Sequence, residues 1–144
     1  NLHEEKEEHI EANICEFLAI KGATDQNNIR VYYDKNKGVY RTRKSNFASP
    51  GISDIIGCYE GYYFAIEVKT PSEIEKADKS IEELTAEYID AQRRNLSGST
   101  IKKYQHRVEQ RAFLDGVERS GGIACFASSI QDVKEAFARS HIIL

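Results

Sequence analysis

The sequence predicts a mixed α/β sandwich, a central sheet flanked by helices within a single domain of 144 residues. Two observations carry this. Apolar residues recur at helical spacing at both ends of the chain and again after residue 73, whereas the segment between holds short β-like runs joined by turn signals. The order helix, strand meander, helices, strand, helix is the one that packs helices on a sheet.

The elements follow in order. In "HEEKEEHIEANICEFLAIKG", Ile10, Ile14, Phe17 and Leu18 share a helical stripe and Gly22 stops it. "IRVYYDKNKGVYRTRKSNFASPG" holds one β-like run, Ile29 to Tyr33, then a charged turn and a loop closed by Pro50 and Gly51. "PGISDIIGCYEGYYFAIEVK" reads as a hairpin. From Ile74 to Ala91, the residues Ile74, Ala77, Ile81, Leu84, Tyr88 and Ala91 alternate at spacings of three and four, a narrow seam of coiled-coil type. "LSGST" breaks it, a further helix runs from Ile101 to Ser120, "GGIACFASS" reads as a buried strand and "IQDVKEAFARS" as a closing helix.

Composition narrows the functional classes. With 40% apolar content the chain can bury a real core, and its formal charge of −3 means that any nucleic-acid partner must be held by a local patch. No apolar run reaches membrane-spanning length and the charged N-terminal stretch does not read as a signal peptide, so a soluble, cytoplasmic protein with no membrane partner is expected. Cys15, Cys58 and Cys125 lie far apart in apolar runs and read as core thiols, and the four histidines have no metal-ligand spacing.

The hairpin holds the chemistry. With Glu60 and Gly61 as a two-residue turn, Tyr59 faces Tyr62, Ile55 faces Ile66, and Asp54 faces Glu67. Alternation puts Glu67 and Lys69 on one side of their strand and Ile66 and Val68 on the other. Two carboxylates with Cβ atoms about 5 Å apart repel unless compensated, and Lys69 together with a divalent cation such as Mg²⁺ would compensate them. The plainer reading, in which Asp54 caps a turn and Glu67 pairs with Lys69 on a solvated face, fits the apolar surroundings less well.

"SD" twelve residues before "EVK", with a glycine-containing turn between, resembles the PD-(D/E)xK nuclease motif. More narrowly, "EEHIEANICEFL", "PGISDIIG", "AIEVK" and "QRAFLDGVERSGGIACFASSIQDV" together resemble small phage versions of the virus-type replication and repair nuclease (VRR-NUC) domain, and the four blocks come in that family's order. The resemblance implies a restriction-endonuclease-like αβββαβ core that cuts nucleic-acid phosphodiesters with Mg²⁺ or Mn²⁺. On that pattern Asp54, Glu67 and the Val68 carbonyl are metal ligands, Lys69 positions or activates the attacking water, and Gln110 supports the site from the following helix. Ser53 stands where the motif's name has proline. Residues 71–100 form a helical insertion, a longer spacer than these small domains usually have.

Glu7 lies three residues before Ile10 and seven before Ile14, on the apolar stripe, where an acid needs compensation. The family has an acid three before its first isoleucine, so Glu7 is assigned to metal and catalytic support. Arg30, Lys35, Lys37, Arg41, Arg43 and Lys44, with tyrosines interleaved and a single acid at Asp34, form a candidate DNA-contacting segment. Arg93, Arg94, Lys102, Lys103, Arg107 and Arg111 make a second patch. The seam from Ile74 to Ala91 either packs within its own domain or pairs two copies as a homodimer. The expectation is a metal-dependent endonuclease of replication, repair or recombination that selects a DNA structure such as a junction, flap or nick. A general or restriction-type DNA nuclease, and a catalytically silent nucleic-acid-binding or assembly module, remain as alternatives.

Overall fold

A computed structural model of the chain describes residues 5–23, 31–34, 39–42 and 50–144, the two short strands as backbone alone. Helix α1 (Glu7–Ile20) is followed by strands β1 (Val31–Asp34), β2 (Val39–Thr42), β3 (Ile55–Tyr59) and β4 (Tyr62–Val68). Helices α2 (Pro71–Ala77), α3 (Ile81–Arg93) and α4 (Gly98–Arg119), strand β5 (Ile123–Ala127) and helix α5 (Ile130–Ala138) complete the chain.

A three-stranded mixed sheet of order β3-β4-β5 lies at the centre, with β3 antiparallel and β5 parallel to β4. The alternation of side chains along β4 divides the core in two. Phe64, Ile66 and Val68 join Ile10, Ile14 and Leu18 of α1 and Val133 and Phe137 of α5, while Ala65 joins Ala77 of α2 and Leu114 and Val117 of α4. The sheet is therefore covered on both faces, and a residue near the middle of β4 has no solvated side to turn to. That corrects the picture of a hairpin with one apolar face and one charged face.

The hairpin register is the expected one, from Tyr59 opposite Tyr62 to Ile55 opposite Ile66. Its turn needs positive φ at two successive residues, and Glu60 and Gly61 adopt φ of 47° and 88°. Where a charged turn and loop are expected after Tyr33, the β-formers of "VYRT" make strand β2. It pairs antiparallel with β1, Val31 opposite Thr42, as a separate two-stranded sheet rather than as part of one continuous meander.

The long seam is also revised. It is not one helix: Asp78, Lys79 and Ser80 separate α2 from α3, and the Ser80 hydroxyl accepts the Glu83 N–H at 3.1 Å to start the second helix. "LSGST" does not interrupt helix so much as begin it, with Ser97 capping α4 through the Thr100 N–H. Ala77, Leu84 and Ala91 are buried within the chain. Arg111 ties the α2-α3 junction down: its guanidinium meets Asp78 and Asp115 at 3.1 Å each and lies over the Phe126 ring. Cys15 and Cys125 are buried, and burial pushes each thiol up to about 12, as befits core residues. Among the described residues no helix is long and apolar enough to cross a membrane.

Candidate active site

The site forms where the β3-β4 ladder ends. Backbone pairing stops at Ile55 opposite Ile66, and one residue further the Asp54 side chain takes over: its Oδ2 accepts the Val68 N–H at 3.0 Å. On the other side of β4 the ladder runs on, with the Lys69 N–H donating to the Ala127 carbonyl at 3.0 Å. Asp54 and Lys69 are thus fixed at the strand end by backbone bonds to either side of Glu67.

Glu67 is 3% exposed and sits on the central strand beside Phe126 of β5, on the face that Ala65, Leu114 and Ala77 line. Its carboxyl is in hydrogen-bonding contact with Asp54, and its pKa is pushed up to about 11. Burial is the largest cause, followed by the bond to Asp54 and the Asp54 charge, with Lys69 pulling the other way. Two carboxyls in contact cannot both ionise cheaply, so at neutral pH Glu67 holds a proton while, among the described residues, Lys69 offsets the pair. Glu7, at the start of α1, stands at the rim. It is an exposed residue whose carboxyl pKa is raised, first by partial burial and then by the Asp54 charge, with Lys69 lowering it.

The loop that carries Asp54 packs through Gly51 on the α4 backbone at Glu109 and Gln110. A Cβ at Gly51 would lie 2.3 Å from the Glu109 carbonyl carbon and oxygen and 2.7 Å from the Gln110 nitrogen, and the residue has φ of 76°. The loop before Asp54 therefore lies directly on the α4 backbone at Gln110. Gly51→Ala adds both a clash with main chain and an unfavourable φ, and is expected to cost about 2–4 kcal/mol, read by denaturant unfolding. An unchanged midpoint would mean that the loop is not held against α4.

Among the described residues, the buried side-chain atoms without a hydrogen-bond partner in the protein are Ser53 Oγ, Glu67 Oε1 and Gln110 Oε1. Ser53 precedes Asp54 and Glu67 touches it, while Gln110 lies on α4 where the Gly51 loop packs; the two carbonyl-type oxygens are acceptors with no donor. Such oxygens beside a second carboxylate suit a hard divalent cation, which takes one or two carboxylates and fills its shell with water and phosphate oxygens. Asp54 and Glu67 are two acids only, and among the described residues no group of three or more His, Cys, Asp or Glu is gathered as a metal cage.

One acid escaped the sequence reading. Glu11 is buried, and its charge acts on Cys15, as does that of Asp54. It lies one turn after Glu7 and three residues before Ile14, so the same wheel that selected Glu7 would have found it. Of the first basic segment, Arg30, Lys35, Lys37, Arg43 and Lys44 lie outside the described residues, and Arg41 is described as backbone on β2 opposite Tyr32. In the second patch Arg111 is engaged by two carboxylates and Arg94 by Asp90 at 3.6 Å.

No family model, curated protein or solved structure matches this chain.

Proposed function

We propose that the chain is a metal-dependent endonuclease that hydrolyses DNA phosphodiester bonds with a preference for a branched, flapped or nicked structure. The observation that supports this most directly is the contact between Asp54 and a nearly buried Glu67, with Lys69 as the neighbouring cation. A fold has little reason to bring two acids together on a doubly covered sheet unless a cation joins them. The VRR-NUC resemblance of the surrounding blocks supplies the reaction class.

In this reading Asp54, Glu67 and the Val68 carbonyl would hold Mg²⁺ or Mn²⁺, with Glu7 at the rim. The cation, when bound, lowers the pKa of water and draws charge from the phosphate. The chain's own groups do the rest. The Val68 N–H keeps Asp54 in one orientation. Glu67 releases its proton as the site loads, and Lys69 presents a compact ammonium to the attacking water and the scissile phosphate, where negative charge grows. Gln110 borders the site from α4.

Digestion of single-stranded, duplex, flap and four-way-junction DNA with Mg²⁺ or Mn²⁺, beside Asp54→Ala, tests the proposal. Cleavage by the unaltered protein alone, fastest on a structured substrate, is expected. Equal cleavage of all duplexes would turn the reading to a general nuclease. Binding without cleavage under both metals would leave a silent nucleic-acid-binding module.

A further inference from the structure

The helical insertion carries a second feature that the reaction centre does not use. Between the α2-α3 junction and the first half of α4 lies an open groove of about 490 Å³. Lys76 and Lys79 line one wall, Lys103 and Arg107 the other, and Glu87 is the single acid among its lining residues. We propose that this groove binds the phosphate backbone of the DNA strand beyond the cleavage point, so that the insertion is a substrate-binding arm. The proposal rests on the nuclease reading for the identity of the ligand.

Four cations around one concavity repel each other, and in a chain of net charge −3 composition does not require them there. The internal pairing is incomplete. Glu87 is taken by Lys79, at 3.0 and 3.2 Å, and Lys76 has only an exposed 3.8 Å contact with Glu73. Lys103 is exposed, while Arg107 lies over the Tyr104 ring at 5.1 Å, which holds its guanidinium in place without neutralising it. No acid stands in the first turn of α4 to offset them.

The α4 wall of the groove lies on a helix face that runs on to the residues where the loop before Asp54 packs. Thr100, Lys103 and Arg107 recur at three and four residues, and the next member of that face is Gln110, against which Gly51 packs. The other wall starts in α2, which follows Lys69 directly. From Thr100 to Gln110 the helix rises about 15 Å, the axial span of roughly four steps of one DNA strand. A strand with its scissile phosphate at Lys69 would therefore lay its next phosphates along Arg107, Lys103 and Lys76.

The test is equilibrium binding of a short fluorescein-labelled DNA duplex in EDTA, followed by anisotropy across a salt series, so that no cleavage enters. Lys76→Ala, Lys103→Ala and Arg107→Ala are combined. A control of equal charge change combines Lys21→Ala, Arg119→Ala and Lys134→Ala, on other parts of the surface. Each lost phosphate contact removes about 0.9 from the slope of log K against log salt, so the groove variant should lose about 2–3 and bind roughly tenfold or more weakly. Glu87→Gln frees Lys79 and should tighten binding. An unchanged slope in the groove variant, an equal drop in the control, or no binding by the unaltered protein overturns the proposal. If groove-dependent binding is found but the protein cuts nothing with Mg²⁺ or Mn²⁺, the groove stands and the nuclease reading falls.

Discussion

Lys69→Ala is expected to leave folding and metal binding almost unaltered while lowering single-turnover DNA cleavage about a thousandfold. The lysine is half-buried at the end of β4, and its position is set by its own N–H bond to the Ala127 carbonyl, which alanine retains. What alanine removes is the cation that, among the described residues, acts on both Glu67 and Glu7. Charge that grows on a phosphate in a water-poor site then goes unanswered, a loss that appears in the chemical step and not in substrate affinity. Lys69→Arg should recover part of the rate, because charge is restored on a broader, planar group. Cleavage by Lys69→Ala at the unaltered rate, with Asp54→Ala inactive in the same assay, would remove Lys69 from the reaction.

Glu67→Gln should do two opposite things. In EDTA it is expected to stabilise the protein at neutral pH by about 2–4 kcal/mol, and with Mn²⁺ present it should lose the metal-dependent stabilisation that the unaltered protein gains. The sign follows from the raised pKa. The unfolded carboxyl ionises near 4.5, while the folded one keeps its proton to about 11. Between those values the native state binds the extra proton, so stability is greatest below the lower value and declines as pH rises through neutrality toward the upper one. Glutamine mimics the protonated acid and removes this part of the decline. Denaturant unfolding between about pH 5 and about pH 9 would expose the difference as a steeper decline for the native protein than for the variant. Metal binding must expel the same proton, so calorimetry in buffers of different ionisation enthalpy should detect proton release with the native protein and none with the variant. A native profile no steeper than the variant's would mean that Glu67 is already ionised in the fold, and the carboxyl pair would need another explanation.

Local signals were enough for the hairpin, its turn and its register. An acid followed by glycine set the turn, and the two-residue period of strands then placed every partner from Tyr59 and Tyr62 to Ile55 and Ile66, beyond which the Asp54 and Glu67 side chains meet. Local signals were not enough for the insertion. A seam with spacings of three and four looks the same whether one helix carries it or two, and the break at Asp78 to Ser80 depends on Ser80 capping α3 and Arg111 holding Asp78 from another helix. Of the seam, Ala77, Leu84 and Ala91 are buried within the chain, while Ile74, Ile81 and Tyr88 are half-buried. Strand β2 was missed for a similar reason: a strand of four residues takes its stability from the neighbour it pairs with, and its own composition announces it weakly.

Side-chain alternation and turn geometry act within about twenty residues, and they dictate which residues stand on the same side of the β3-β4 hairpin. What that side meets is a matter of long-range packing. Helix α4 brought Gln110 down on Gly51, a second helical layer closed over Glu67 and raised its pKa, and the folded insertion set Lys76 across from Lys103 and Arg107. Burial and electrostatic coupling depend on neighbours distant in sequence, and no local pattern in the chain encodes them.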